Sequence, residues 1–334
     1  MKNMIETSSL KGLDNKSASR FIQLLKEILK KKTTLYLGAG VSASCGLPTW
    51  NQLIEQICTA FFYHWEFSEN NGKDKFPKNL SIAFWENYLW SEKSLELSKI
   101  LAKENPINVA EQIKSRIQPK DWVYLIRKLM YDQNVLKPSC LISEITELFS
   151  TDYINTVFTS NFDDLLEKQL KHKGIKCKSI FEIPFKKGEG KVVIHPHGIL
   201  PIEGGQKTRI IFTESEYIDE FSKPYSWTNL IQLNEFNNST CIFIGTSFTD
   251  INLVKLLRVS REETKNMHYA FILNDCSKDK KLKELFHNYL YELGIKVIIL
   301  PMENDSDFSQ LSVYLNLINK VLKDKNHELR KYST

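Results

Sequence analysis

Four short segments of this chain combine residue types and spacings that could do chemistry. Gly38-Ala39-Gly40-Val41-Ser42-Ala43 has the G-x-G-x-x-A spacing of a turn that follows a first strand and meets a dinucleotide. Its glycines permit a tight turn and let backbone N–H groups approach a pyrophosphate. Thr159-Ser160-Asn161-Phe162-Asp163 sets a carboxamide between hydroxyls and a carboxylate. A carboxamide donates and accepts at once, so Asn161 can hold a ribose hydroxyl and a water together. His195-Pro196-His197-Gly198 supplies imidazoles able to take a proton from a sugar hydroxyl or a water. Gly245-Thr246-Ser247-Phe248-Thr249-Asp250 sets two hydroxyls behind a glycine, suited to phosphate or ribose oxygens.

Each segment also has a plainer reading. The first is compatible with an ordinary strand-to-helix turn, because the acidic residue expected about 20 positions on has no clear match: Glu55 is early and Glu66 late. Ser160, Asn161 or Asp163 can simply cap the helix that follows. The two histidines can be structural groups around a proline turn, a reading that suits His195 better than His197. As an i, i+2 pair they resemble metal ligands, but no Cys or acidic cluster adjoins them, so no metal is expected. The last segment can be a glycine turn with a Ser, Thr or Asp cap. Four polar turns able to face one crevice favour a shared site over four coincidences.

The elements that must position these turns follow from periodicity. Residues 17–31 place Phe21, Leu24, Leu25, Ile28 and Leu29 at helical spacing, and Thr33 to Leu37 is a short strand running into the glycine turn. Pro48 interrupts the next helix, and a new one is expected from near Trp50. Residues 64–150, with Trp65, Trp85, Trp90 and Trp122, show no clear strand and read as a helical insertion; its stretch 67–80 reads as a loop, and most of its tryptophans as core. Strands are expected again from Tyr153 and at 191–200, 208–217, 239–244, 268–275 and 294–300, with helices between them and a last helix near 306–323. A charged, frayed tail is expected over 324–334. Strands alternating with helices imply an α/β fold, a doubly wound, Rossmann-like parallel sheet over residues 1–334 carrying the insertion.

Composition bounds the rest. The 334 residues are 42% hydrophobic and 25% charged, which excludes a mainly disordered chain, a collagen-like chain and a small disulfide scaffold. A net charge of +5 at this length gives no argument for direct nucleic-acid binding, and the basic run Lys168 to Lys178 reads as a solvated helix face. No run approaches 18 apolar residues, so no membrane span is expected. The N-terminus lacks an apolar signal region and no two of the six cysteines form a CxxC, so reduced, mostly buried thiols and a cytoplasmic location are expected.

Together the four segments resemble the SIR2 family, specifically the SIR2-like branch found in bacterial defence proteins. The family's opening GAGxSxxxGLPxW is complete as residues 38–50; T-x-N-F/I-D is present as 159–163, the catalytic H-G as His197-Gly198, and G-S/T-S as Gly245-Thr246-Ser247, extended as GTSFTDIN. The resemblance covers about residues 33–300. Two departures matter. Protein deacylases of the family carry D-F-R after GLP, where this chain has Thr49-Trp50-Asn51, and a four-Cys zinc module, where this chain has only Cys241 between His197 and Gly245.

The resemblance therefore implies NAD⁺ as substrate, no metal, and hydrolysis to nicotinamide and ADP-ribose as a defence effector that depletes NAD⁺ in abortive infection. It implies that Asn161 positions the ribose and the water and that His197 acts as base. Gly38, Ala39, Gly40 and Ser42 would hold the pyrophosphate, Trp50 would shield the nicotinamide face, and Pro48, Thr159, Ser160, Asp163 and Gly245 would also bind NAD⁺. Thr246, Ser247 and Asn274 would bind the adenosine side. An unrestrained NADase would kill its host, so control by homo-oligomerisation or a defence-system partner such as a HerA-type ATPase is expected. The other readings are a zinc-free deacylase or ADP-ribosyltransferase, which needs an acceptor, and a nucleotide-sensing subunit. No Arg marks a 2′-phosphate site that would separate NADP⁺ from NAD⁺.

Overall fold

Strands whose residues are apolar on both sides must be covered on both faces, and the central strands here are of that kind. The computed structural model describes residues 10, 12–30, 32–71, 105–132, 136–182, 190–203, 210–275, 279–302 and 308–331. Its sheet comprises β1 (Thr33–Leu37), β2 (Ile154–Thr159), β3 (Cys177–Ile180), β4 (Lys191–Ile194), β5 (Thr240–Ile244), β6 (His268–Leu273) and β7 (Ile295–Leu300). The strand order is β3-β4-β2-β1-β5-β6-β7, and every pairing is parallel.

The helices are α1 (Asn15–Ile28), α2 (Ala39–Ala43), α3 (Trp50–Asn71), α4 (Pro106–Lys114), α5 (Pro119–Arg127), α6 (Cys140–Ser150), α7 (Leu165–His172), α8 (Glu214–Ser222), α9 (Trp227–Asn238), α10 (Ile251–Glu263), α11 (Lys280–Glu292) and α12 (Ser309–Lys331). Leu35, Leu37, Val157, Ile242 and Ile244 pack one sheet face against α1, α6, α7 and α12. Tyr36, Phe158, Cys241 and Phe243 point the other way, onto α9, α10 and α11. Alternate residues of each strand thus fill two separate cores, which is the doubly wound arrangement. A third core joins α3, α4 and α5 to Phe162, Leu200, Ile210 and Phe212, and Trp122 is buried in it. α6, the last helix of the 64–150 stretch, belongs instead to the first core.

Several local expectations change. The described part of the expected 208–217 strand, 210–217, is not one: Ile210 makes one isolated antiparallel bridge to Gly198, and a helix begins at Glu214. The reason is a capping box between Thr213 and Glu216, which starts α8 and overrides the β-branched run before it. β3 escapes the sequence reading because it is a four-residue edge strand of mixed burial. α3 continues to Asn71 and α12 to Lys331, where a loop and a frayed tail were expected; neither stretch contains Gly or Pro to stop a helix. The remainder of the expected loop, Trp85 and Trp90, the Trp65 side chain and Cys276 lie outside the described residues. Cys45, Cys58 and Cys241 are buried free thiols, while Cys140 is exposed. Among the described residues, no helix is long and apolar enough to cross a membrane.

Candidate active site

Adjacent central strands β4, β2, β1 and β5 end on one edge of the sheet, and the turns after them carry the four segments. These turns line one cavity of about 410 Å³, within the range of roughly 300–1,000 Å³ usual for small-molecule sites. Gly38, Ala39 and Ser42 come from the turn after β1, and Ser160, Asn161 and Asp163 from the turn after β2. His197 follows β4, and Thr246 and Ser247 follow β5. Pro48 and Trp50 close one side, and Tyr217, Ile218 and Phe221 of α8 close another.

Four of the expected residues stand outside the lining. Gly40, Gly245 and Thr159 lie directly behind it, and the Thr159 hydroxyl accepts from the Asn161 N–H at 3.2 Å. Asn274 follows β6, one strand farther out; its Oδ1 accepts from Lys283 Nζ at 3.0 Å.

The glycines have a mechanical role in bringing two turns together. The Gly38 N–H donates to Ile244 O at 2.9 Å and the Gly40 N–H to Gly245 O at 3.0 Å. A Cβ on Gly38 would stand 2.4 Å from Gly245 O. Gly245 itself has φ +67°, and a Cβ there would meet Val41 N at 2.8 Å. Side chains are excluded here by a partner turn, whatever ligand is bound.

Asn161 is held by its amide. Its Nδ2 donates to Gly38 O at 3.0 Å and to Ser42 Oγ at 2.7 Å. Ser42 in turn donates to Asp163 Oδ2 at 2.5 Å. Both Nδ2 protons are therefore used, and no described residue donates to Asn161 Oδ1, which is left as the acceptor for a ligand. Burial pushes the Asp163 carboxyl up from its ordinary range, against the lowering effect of the Ser42 bond.

The two histidines separate by role. His195 is fully buried; its Nε2 lies 2.6 Å from Glu167 Oε1 and its Nδ1 3.2 Å from Asn161 O. Burial alone would lower its proton affinity, but the Glu167 charge and hydrogen bonds outweigh that and raise it. It is the structural histidine of the pair, and it props the backbone of Asn161. His197 lines the cavity, with Nε2 3.1 Å from Asp250 Oδ2 and its ring edge-on to Tyr217 at 5.5 Å. Burial would raise the Asp250 carboxyl, but the His197 charge and hydrogen bonds bring it below the ordinary range.

Trp50 begins α3 behind a capping box in which the Thr49 N–H donates to Gln52 Oε1 at 2.8 Å. Its ring lies 4.2 Å from that of Phe212 and 6.4 Å, edge-on, from Tyr217. One aromatic wall thus runs from Trp50 through Tyr217 to His197.

Tyr217, Phe248 and Asn252 carry no signal of their own in the sequence, where Asp250 reads as a helix cap alone. Asp250 is that cap, accepting from the Asn252 N–H at 2.9 Å, but its other oxygen faces His197. Phe248 lines the cavity with φ 59°, a left-handed backbone rare for a bulky side chain. Thr246 Oγ1 and Asn252 Oδ1 are buried in the cavity wall without a partner, as ligand-facing groups often are. The lining contains Asp163 and Asp250 but no Lys or Arg. Among the described residues, no cluster of His, Cys, Asp or Glu is fit to hold a metal ion.

Comparison with known proteins gives four matches. A SIR2-like domain model matches residues 155–298. The chain is 22% identical over 317 residues to the NAD(+) hydrolase ThsA of Bacillus cereus (strain MSX-D12). It is 23% identical over 324 residues to the NAD(+) hydrolase ThsA of Acinetobacter baumannii (strain 532279). The matches cover 90% and 91% of this chain but 56% of each relative, so the chain spans about half their length. A solved structure described as a Sir2 homolog–NAD complex aligns with a TM-score of 0.41 at 16% identity, over 90% of this chain and 94% of that one.

Proposed function

We propose that this chain, which carries a SIR2-like domain, hydrolyses NAD⁺ at the bond between nicotinamide and ribose C1′. The observation that carries this reading is the meeting of Asn161 and His197 in one cavity with the glycine turn at Ala39 and Ser42. The NAD(+) hydrolase activity for which the two ThsA relatives are named supports it at the level of the family.

The chemistry asks little of a general acid. A water oxygen bonds to C1′, the C1′–N bond breaks, and its electron pair passes to the ring nitrogen, so nicotinamide leaves neutral. The water's proton passes to His197, directly or through a ribose hydroxyl, and then to solvent. The transition state resembles an oxocarbenium ion, as in other glycosidic cleavages. A lining with two carboxylates and no cation favours positive charge on the ribose, where a lysine would oppose it. Asn161 Oδ1, the open acceptor, takes a ribose hydroxyl or the attacking water. The N–H groups of Gly38, Gly40 and Val41 are already bonded, so the pyrophosphate is assigned to the Ala39 N–H and the Thr246 and Ser247 hydroxyls. Trp50 shields the nicotinamide face. The activity is assigned to defence, with NAD⁺ depletion as its effect and an oligomer or a partner protein as its control.

The test is release of nicotinamide and ADP-ribose from NAD⁺ by the purified chain, alone and with its genomic neighbours, beside Asn161→Ala and His197→Ala. Each variant is expected to lose on the order of 10²-fold or more in rate, the usual range for a positioned acid–base group. Full cleavage by both variants, or no cleavage by the unaltered chain in any mixture, would overturn the reading.

A further inference from the structure

We infer that Asp250 is a positioning residue for the cleavage reaction, fixing the proton of His197 on Nε2 and leaving the Nδ1 lone pair as the base. The inference rests on the NAD⁺-cleavage reading above. A carboxylate is an acceptor only, so the hydrogen in the 3.1 Å contact between His197 Nε2 and Asp250 Oδ2 belongs to the histidine. In the neutral imidazole the lone pair then sits on Nδ1, and no described residue hydrogen-bonds that atom.

Asp250 is itself immobilised. Its Oδ1 accepts from the N–H groups of Asn252 at 2.9 Å and Leu253 at 3.3 Å, at the start of α10. One oxygen is tied to the helix and the other to the histidine. The charged and titratable groups facing Asp250 are His197 from the turn after β4, Tyr217 from α8, Tyr36 from β1 and Lys255 from α10. Lys255 is engaged elsewhere, donating to Phe221 O at 3.0 Å with its ammonium 4.1 Å from the Phe221 ring centroid. Asp250 is therefore free to stabilise the imidazolium that forms as His197 takes its proton, the logic of a carboxylate behind a catalytic histidine.

A cap and a positioning residue make different predictions. Asp250→Ser keeps a good N-cap but is too short to reach His197. Expected for this variant is a kcat lower by on the order of 10²-fold with KM within about threefold, since the contact acts on the chemical step. Nitrogen NMR of the histidine-labelled chain should show the Nε2–H tautomer at His197 in the unaltered chain and a mixture in Asp250→Ser. Asp279→Ser alters the N-cap of α11, away from the cavity, and should leave the rate unchanged.

Unaltered kcat together with an unaltered His197 tautomer in Asp250→Ser would overturn the inference. Should the serine variant not fold, Asp250→Asn, which keeps both size and cap, is read on kcat and on the same tautomer. If the unaltered chain cleaves no NAD⁺, the cleavage reading fails, while an Nδ1–H tautomer at His197 would separately overturn the placement of the proton.

Discussion

The Ser42 hydroxyl donates to the buried carboxylate of Asp163 at 2.5 Å and accepts from Asn161 Nδ2 at 2.7 Å, so one small side chain locks the turn after β1 to the turn after β2. Ser42→Ala should leave a buried carboxylate without its hydroxyl donor and free the Asn161 amide to rotate. The expected cost is about 1–3 kcal/mol in denaturant unfolding. Because the amide would no longer be aimed, kcat should fall more than KM rises. An unchanged kcat with reduced stability would show that the Asn161 orientation has other sufficient supports.

The His195–Glu167 pair gives a pH signature of stability. The Glu167 carboxyl is pushed up by burial but held below its ordinary 4.5 overall by His195 and Ser179. Its contribution is therefore present above about pH 4.5 and is lost as pH falls through the folded value. His195 is raised above its ordinary 6.5, so its contribution is complete below that pH and is lost as pH rises through the folded value. The pair should stabilise the fold most between these limits, near pH 5 to 6. Tm measured against pH for the unaltered chain and Glu167→Gln should converge at both ends and differ most in the middle.

Gly38→Ala and Gly245→Ala should damage the fold before they damage binding. Each Cβ would meet backbone of the opposite turn, at 2.4 Å from Gly245 O and 2.8 Å from Val41 N. At Gly245 the left-handed backbone adds roughly 1–2 kcal/mol. Both variants should unfold at lower denaturant, by more than about 2 kcal/mol in stability. A stable Gly38→Ala chain that merely binds NAD⁺ poorly would assign that glycine to the ligand and not to the partner turn.

Trp50 lies in the cavity wall and packs against Phe212 with the two rings tilted by 45°. NAD⁺ binding should change tryptophan emission, and Trp50→Phe should abolish most of that change while preserving the packing. Trp50→Ala should in addition cost about 2 kcal/mol, below the figure for a fully buried large-to-small change because the ring is only half-buried. An emission change that survives Trp50→Phe would place the reporter elsewhere.

The site was legible where its parts are local. Each of the four turns is a contiguous run following an apolar strand, so residue type and strand ending sufficed to point at Asn161, His197 and Thr246. What stayed hidden depends on a partner far along the chain. The glycine spacing suggests a phosphate, but the closest neighbour of Gly38 is Gly245 on another strand. Asp250 reads locally as a cap, which it is, and nothing near it in sequence announces that its second oxygen meets His197. Just before α8 a β-branched pair, Ile210 and Ile211, masks the Thr213–Glu216 capping box that decides the segment. Asn274 sits at the end of β6 as a late-strand polar group should, yet that strand lies one place beyond those that line the cavity.

The register that pairs Thr33 with Thr240 has a consequence during synthesis. A chain emerging from the ribosome acquires Asn161 and His197 well before β5, but the two turns that close around Gly38 exist only after β5 has zipped onto β1. That zipping joins distant segments and closes a long loop, the kind of step that comes late in folding. On the proposed NAD⁺-cleavage reading, the chain would thereby remain inert while nascent, and its competence would begin only once the middle of the sheet is whole.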